Sequence, residues 1–177
     1  LNKFLLRSDD FITLYHTYFP KFFHFRLALK LKVLPRAHNS FNKNLQSKNK
    51  LFDYHLMSQF DCENDFEKFL CSRISKDIPK SYLEDFDELH SIQSNIKQTK
   101  IIFTSNAHLN NDLFKIWMAE CKMNGSKIIV SAHGGGLYPK FSVFNHQEKI
   151  SDKRIVWGKE WMENHHRLPP NKLFFKN

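Results

Sequence analysis

A strand–helix–strand pattern in the second half of the chain constrains the fold more than any other sequence feature. Residues 100–105 and 127–132, KIIFTS and KIIVSA, are short apolar runs typical of buried strands. Between them, apolar residues recur at helical spacing from a cap at Asn111 or Asp112 to a helix end at Gly125. Such a crossover joins parallel strands that helices cover. The pattern therefore predicts an α/β fold with a Rossmann-like, doubly wound parallel sheet and flanking helices.

Further strands and helices are predicted on either side of this unit. The aromatic and β-branched residues 11–18 predict a strand, and Pro20 favours a helix that continues to about Leu34. Apolar residues alternate between Phe23 and Val33, which also fits a strand, but the Leu, Ala, Lys and Arg content favours the helix. The other predicted elements are helices at 64–75 and 81–96, a strand at 154–157 and a polar loop at 36–50.

Charge and glycine content differ between the two ends of the chain. The net charge of +9 comes mostly from residues 1–50, whereas all five glycines lie in the last third, three of them consecutive. A nucleic-acid-binding protein usually clusters its basic residues around the site that contacts phosphate. The separation argues against nucleic acid as a partner. The basic segment 21–36 is either an ordinary solvated helix face or a peripheral contact with an anionic membrane or polyphosphate.

The cysteines and the hydropathy pattern bear on location. Cys62, Cys71 and Cys121 form no CxxC pair, which disfavours a disulfide framework and a zinc site and favours a reducing, cytoplasmic compartment. No apolar run approaches the roughly 18 residues that span a bilayer, and the sequence does not open with a signal peptide. Because the chain starts at Leu1 rather than Met and stops abruptly at Asn177, we expect a fragment of a longer protein.

Three consecutive glycines follow a histidine at the end of the predicted strand 127–132. In parallel sheets, ligands bind beyond the carboxyl ends of the strands. Gly134, Gly135 and Gly136 would let the backbone approach a ligand and aim N–H groups at an anion. The imidazole of His133 can exchange a proton or bind phosphate near neutral pH. We predict that His133 is catalytic and that the glycines bind substrate; the alternative is a tight turn with an incidental histidine.

Polar residues beside the neighbouring strands are further candidates. Ser105 and Asn106 follow the strand at 100–105, where they would bind a ligand hydroxyl or phosphate, or else cap the next helix. Glu148 and Asp152 precede the strand at 154–157. Asp152 is predicted to orient the histidine base or bind a hydroxyl, with a solvated loop carboxylate as the alternative reading.

Two other patterns carry less weight. Asp85 and Asp87 have the acid-x-acid spacing of metal–nucleotide sites, but at i and i+2 of a predicted helix their side chains diverge. His165 and His166 have neither a nearby cysteine nor a placed acid, which favours surface histidines over metal ligands. We therefore predict no metal site and no cofactor.

The chain resembles a family of bacterial transferases that act on surface carbohydrate such as polysaccharide or lipopolysaccharide. The shared elements are a strand ending in Thr-Ser-Asn, a helix ending in Asn-Gly, the HGGxY block at 133–138, and a later Glu, "ISD" and "WG". In that pattern a Gln precedes the histidine, a Gly follows the tyrosine and a Trp follows "WG". In this chain those three positions hold Ala132, Pro139 and Lys159. A tryptophan, Trp161, follows two residues after Lys159. The likeness spans about residues 11–161.

The resemblance implies a two-domain, nucleotide-sugar glycosyltransferase of the GT-B type. Residues 1–161 would form most of its acceptor-side domain, residues 162–177 would begin the interdomain segment, and the donor-binding domain would be absent. The substrates would be a nucleotide-sugar donor and a saccharide or lipid-linked acceptor. Tyr138 and Glu148 would join the residues that bind substrate, and the fragment alone would be inactive.

In the implied reaction, an acceptor hydroxyl attacks the anomeric carbon of the sugar and the nucleotide phosphate leaves. His133 would be the base, or would donate to the charge that develops on phosphate. Three alternatives stay open. The first is a degenerate, non-catalytic domain that holds glycan or a partner, consistent with Ala132, Pro139 and Lys159. The second is a nucleic-acid-binding protein, and the third is a transferase of glycerol phosphate or phosphosugar.

Overall fold

The computed structural model describes residues 11–33, 41, 61–133 and 146–173. They contain five β-strands and six α-helices. The strands are β1 (Ile12–Tyr15), β2 (Ile101–Thr104), β3 (Lys127–Ser131), β4 (Lys153–Val156) and β5 (His165–Arg167). The helices are α1 (Lys21–Leu31), α2 (Asp65–Asp77), α3 (Phe86–Ser94), α4 (Ala107–Asn110), α5 (Asp112–Met123) and α6 (His146–Ile150).

The five strands form one parallel sheet in the order β1-β2-β3-β4-β5. The register places Ile102 beside Ile128, and Ser131 beside Ile155. The α/β class and the parallel sheet are confirmed. A doubly wound sheet reverses its strand order at a switch point. The described strands show no such reversal, since each one is added at the same edge as its predecessor.

Helix α5 covers the first face of the sheet. Side chains alternate between the two faces along a strand, so that Ile102, Ile128 and Val130 point to this face. They pack against Phe114 and Trp117 of α5, and all five side chains are almost completely buried. The predicted helix is confirmed at both ends: the side chain of its N-cap residue accepts a hydrogen bond from the third residue of the helix, and a glycine with φ of 88° follows its end.

Helix α1 lies toward the second face. Phe103 points there, and its ring stacks on that of Phe19 at 5.5 Å between centroids. Phe19 in turn meets Phe23 of α1 at 4.9 Å. The predicted helix is confirmed over the rival strand but ends at Leu31, before Pro35 is reached. Lys32 takes a left-handed conformation with φ of 55°, and its N–H closes the last turn.

Helices α2 and α3 differ in how well the sequence predicts them. Helix α2 begins where expected, because the Asn64 side chain accepts a hydrogen bond from the Glu67 amide at 2.9 Å. The helix predicted over 81–96 is confirmed for Phe86–Ser94, but the prediction of one continuous helix from residue 81 is wrong. A 3-10 turn at Lys80–Tyr82 and helix α3 are separated at Leu83, whose φ and ψ of −123° and −101° interrupt the helix.

Strand β5 was not predicted. Its sequence, His-His-Arg, has no apolar alternation, but it pairs with β4, and His165 lies opposite Arg154. His165 is buried rather than a surface histidine. Part of the expected interdomain segment, 162–177, therefore lies in the same sheet. Within the described ranges, no helix has the length and apolar character needed to cross a membrane.

Candidate functional site

The carboxyl ends of β1, β2 and β3 lie side by side. Tyr15, Thr104 and Val130 occupy matching positions on the three strands. Because the strands are parallel, the residues that follow them emerge at the same edge, where ligands bind in sheets of this kind. We call this the carboxyl edge; it is formed by residues 16–18, 105–106 and 132–133.

The chain turns sharply after β1. His16 and Tyr18 have φ of 48° and 57°, in the left-handed region that residues with a side chain seldom adopt. Such strain persists only where the surrounding structure holds it. The turn brings the Tyr18 ring to 6.1 Å from that of His133, between centroids. Strained backbone is therefore part of how this edge is built.

Tyr18 connects the tips of three elements. Its hydroxyl accepts a hydrogen bond from Asn106 Nδ2 at 3.0 Å, and Lys172 Nζ lies 5.3 Å from the centre of its ring. The cation and the aromatic face attract each other. The structure thus brings Asn106 and His133 to the same tyrosine. Tyr18 was not singled out from the sequence, although a tyrosine at the end of a predicted strand, just before Phe19-Pro20, was a usable signal.

His133 lies at the carboxyl edge with its side chain exposed. It follows β3 by two residues, after the buried Ser131 and Ala132. An exposed imidazole in this position can reach a bound molecule without any rearrangement of the core. The predicted partners Gly134, Gly135, Gly136 and Tyr138 lie outside the described residues.

Asn171 fastens the three strand tips together. This residue begins the 3-10 turn Asn171–Leu173 and is 3% exposed. Its Nδ2 donates to the Thr17 carbonyl at 2.6 Å and to Ser105 Oγ at 3.1 Å, while its Oδ1 accepts from Ser131 Oγ at 3.1 Å. One buried amide therefore bonds to the ends of β1, β2 and β3. A lone Asn after Pro169-Pro170 gave no sequence signal of this role.

Ser105 belongs to this fastening rather than to the accessible surface. It is fully buried, and its hydroxyl donates to the Thr17 carbonyl at 3.1 Å. A residue expected to bind a ligand hydroxyl or phosphate needs an open side chain. We therefore assign Ser105 a positioning role behind Asn106, whose amide lies on the edge itself.

A buried histidine lies next to the edge. His108 of α4 is 2% exposed, and its ring lies 5.3 Å from that of His146, between centroids. Among the described residues, neither ring nitrogen has a hydrogen-bond partner. Burial, followed by the nearby His146 and Arg154, lowers the pKa of His108 to about 3. This imidazole is therefore neutral at physiological pH and adds no charge to the site.

Glu148 is held within a buried charge network. Its carboxylate accepts from Arg154 Nε at 3.1 Å and bonds to His165 Nε2 at 2.9 Å. Arg154 also donates to the Val130 carbonyl at 3.2 Å and is 4% exposed. A buried guanidinium needs such a partner, because an unpaired charge inside a protein costs several kcal/mol or more. Glu148 therefore links α6 to β4 and β5. This structural role is enough to explain why an acid is present at this position, without any contact to a ligand.

Asp152 lies at the opposite edge of the sheet from His133. It precedes β4, and its carboxylate accepts from the Ile128 amide at 2.8 Å and from the ammonium groups of Lys122 and Lys127. Ile128 and His133 are five residues apart along an extended strand, which is roughly 16 Å. The structure does not bring the two predicted catalytic residues together, and the expected pairing of Asp152 with His133 is ruled out.

The surroundings of Asp152 explain why a carboxylate is kept there. Burial alone would raise the pKa of Asp152, but the Ile128 amide and the two lysines outweigh it and hold the pKa below its ordinary value. The ionised side chain links the end of α5 to the starts of β3 and β4. Asp152 therefore forms structural ion pairs at the edge where the strands begin, which we call the amino edge.

The carboxyl edge offers a particular set of chemical groups. His133 supplies an exposed proton acceptor or donor, Asn106 and Tyr18 supply hydrogen bonds, and Lys172 supplies a positive charge. Among the residues that the structure describes, no group of three or more His, Cys, Asp and Glu side chains has an arrangement that can hold a metal ion. These groups suit recognition of a polar, hydroxyl-bearing or anionic molecule.

The fold and this edge define the chain as a Rossmann-like α/β protein with a polar carboxyl edge. More specifically, the chain belongs to the LIC12162 family of transferases, whose family model matches residues 1–177. No curated protein and no solved structure matches the chain. Membership confirms the transferase part of the resemblance seen in the sequence.

Proposed function

We propose that the chain transfers a sugar from a nucleotide-sugar donor to a saccharide or lipid-linked acceptor in the assembly of bacterial surface polysaccharide or lipopolysaccharide. The family establishes that a group is transferred. The resemblance of the HGGxY block, Glu148, "ISD" and "WG" to carbohydrate transferases supports the choice of a sugar as that group.

The observation that carries the proposal is the exposed His133 beside Tyr18 and Asn106 at the carboxyl edge. Sugar transfer needs a group that takes a proton from a weakly acidic hydroxyl, and imidazole is the side chain best suited to this near neutral pH. It also needs groups that hold the hydroxyl in line with the bond that breaks. The Asn106 amide and the Tyr18 hydroxyl are placed to orient a sugar hydroxyl.

In the proposed step, the acceptor oxygen forms a bond to the anomeric carbon while the bond from that carbon to the phosphate oxygen breaks. The acceptor proton passes to His133, and the nucleoside diphosphate leaves with the electron pair. Negative charge grows on the departing phosphate, so cations and backbone N–H groups stabilise the transition state. Lys172 at the same edge is one such cation. Gly134, Gly135 and Gly136 are proposed to supply N–H groups.

The test is a transfer assay on the full-length protein that carries these residues, with a panel of nucleotide sugars and a glycolipid acceptor fraction, in which release of nucleoside diphosphate is measured. Replacing the proton acceptor, as His133→Gln, should lower kcat by about 10²- to 10⁴-fold. The matched control is His90→Gln, because His90 is an exposed histidine on α3 that contacts Glu120 of α5. Equal rates for wild type and both variants would refute the role given to His133.

The same assay separates the alternatives. Release of cytidine monophosphate from cytidine diphosphate glycerol, with no reaction of any nucleotide sugar, would favour a glycerol phosphate transferase. Binding of glycan without turnover would favour a degenerate, non-catalytic domain. Restoring the residues of the resembling family, Ala132→Gln, Pro139→Gly and Lys159→Trp, would then give no gain in sugar transfer.

A further inference from the structure

An open cleft of about 600 Å³ lies beyond the carboxyl ends of β4 and β5. It is lined by Gly158, Lys159 and Glu160, which follow β4, and by Arg167, the last residue of β5. None of these residues was assigned a site role from the sequence. The cleft therefore lies at the same end of the sheet as the carboxyl edge, and the function proposed above does not use it.

The sheet register places this cleft close to His133. Ser131 pairs with Ile155, so that the residues two or three positions further along β3 and β4 emerge side by side. Arg167 pairs with Val156, which brings the end of β5 level with them. Adjacent strands are about 4.8 Å apart, so the tips of β3 and β5 are separated by roughly 10 Å. One small molecule can span that distance.

The cleft combines two cations with open backbone. Lys159 Nζ lies 5.0 Å from the centre of the Trp161 ring, and this cation–π contact holds the ammonium group in place. One carboxylate oxygen of Glu160 accepts a hydrogen bond from the Arg167 amide at 2.6 Å, and the lining as a whole carries two cationic residues against this one acid. A Cβ added at Gly158 would meet no atom within 4 Å.

Lys159 is also the position where this chain departs from the family that it resembles. That pattern has an aromatic residue after Trp-Gly, whereas here a lysine follows Gly158 and Trp161 supplies an aromatic ring beneath it. The change replaces an apolar surface with a positive charge supported by an aromatic ring. A cation and the planar fork of Arg167 form the pair of groups that recognises phosphate oxygens.

We propose that the cleft between the tips of β4 and β5 binds a phosphate or diphosphate group of a substrate, through Lys159 and Arg167. The inference rests on the proposed function for the identity of the substrate. The phosphate comes either from the diphosphate of the nucleotide donor or from a phosphorylated acceptor, since both present the same oxygens. With phosphate held there, the sugar end of the molecule extends toward His133.

Titration calorimetry and amide NMR with inorganic pyrophosphate test the binding itself. The double variant Lys159→Gln/Arg167→Gln should weaken binding at least tenfold, because it removes both charged hydrogen-bond donors proposed to hold the phosphate oxygens. Gly158→Leu should weaken binding comparably by filling the cleft, and the open space around Gly158 lets the variant fold. The matched control is Lys153→Gln, an exposed lysine at the amino end of β4, which should bind as wild type does.

The outcomes are distinct. Loss of binding in the first two variants but not in the control supports the subsite. Equal affinity in all four proteins, or a change of equal size in the Lys153→Gln control, overturns it.

Separate titrations with uridine diphosphate and with a sugar 1-phosphate acceptor distinguish the two sources of phosphate. Because pyrophosphate binding requires no turnover, the subsite can fail while sugar transfer stands, or stand while sugar transfer fails.

Discussion

Asn171 offers the sharpest test of how the carboxyl edge is held together. The change Asn171→Ala removes one amide that joins the ends of β1, β2 and β3. We expect the variant to fold and to be less stable, because the Thr17 carbonyl loses a donor at a buried position. The hydroxyls of Ser105 and Ser131 each lose one partner at the same time.

The size of the effect follows from the three hydrogen bonds. Each is worth about 1 kcal/mol net in a folded protein, so their combined loss is about 3 kcal/mol. The donor–acceptor distances of 2.6, 3.1 and 3.1 Å are those of well-formed bonds. Since single domains are stable by 5–15 kcal/mol, a loss of about 3 kcal/mol is large but survivable.

Urea unfolding, followed by circular dichroism, gives the free energy of unfolding by linear extrapolation. The exposed Asn110 at the end of α4 provides the matched control, and Asn110→Ala should change stability by no more than about 0.5 kcal/mol. A double-mutant cycle with Ser131→Ala should give a coupling energy of about 1 kcal/mol. A loss below about 1 kcal/mol for Asn171→Ala, or no coupling to Ser131, would refute the fastening role.

Three further predictions concern other parts of the chain. Because the pKa of His108 is lowered to about 3 from an ordinary 6.5, protonation of this histidine in the unfolded state reduces stability as the pH falls below 6.5. In urea unfolding, the wild type should lose about 2 kcal/mol more than His108→Leu between pH 7 and pH 5, and equal losses would contradict this. Asp152→Asn should cost about 1 kcal/mol of stability but leave the transfer rate within about twofold of wild type, because Asp152 lies at the amino edge. A variant that folds but no longer transfers would show instead that Asp152 has a catalytic role. The Sγ atoms of Cys62 and Cys71 are 3.3 Å apart, so glutathione disulfide should oxidise these two thiols to a disulfide and be reduced to two glutathione thiols. The fully buried Cys121 should stay reduced. Peptide mass mapping that finds the Cys62 and Cys71 thiols intact would count against this geometry.

The strand–helix–strand unit could be predicted because its local signals agree with one another. Apolar runs, helical spacing and a cap at Asn111 all point to the elements that the structure contains. Helix α1 was ambiguous between two periodicities and was decided by residue propensities. Where signals conflict or are absent, as in the His-His-Arg of β5, pairing with a neighbouring strand decides the structure instead.

In the candidate site, the sequence was a poor guide to the roles of buried polar residues. Polarity and position in the sequence led to Ser105 and Glu148, but burial and hydrogen bonding, which a single sequence does not report, place both among groups that hold the edge or the sheet together. Asn171 was missed for the same reason, since its partners lie 40 to 154 residues away along the chain.

The error over Asp152 has a more general cause. A residue that precedes a parallel strand emerges at the amino edge of the sheet, whereas His133 follows its strand and emerges at the carboxyl edge. The two could therefore have been separated from the order of elements alone. To predict whether a residue belongs to the site, it is more informative to know whether it precedes or follows a strand than to know that it lies close to one in the sequence.

Substrate is proposed to bind at the carboxyl edge beside His133, and an NMR map of an acceptor titration tests this most directly. The protein is labelled with ¹⁵N and titrated with the acceptor that supports transfer. We expect shifts of the His133 ring and the Asn106 side-chain amide, and an unchanged Ile128 amide beside Asp152. Shifts that centre on Ile128 and spare His133 and Asn106 would contradict it.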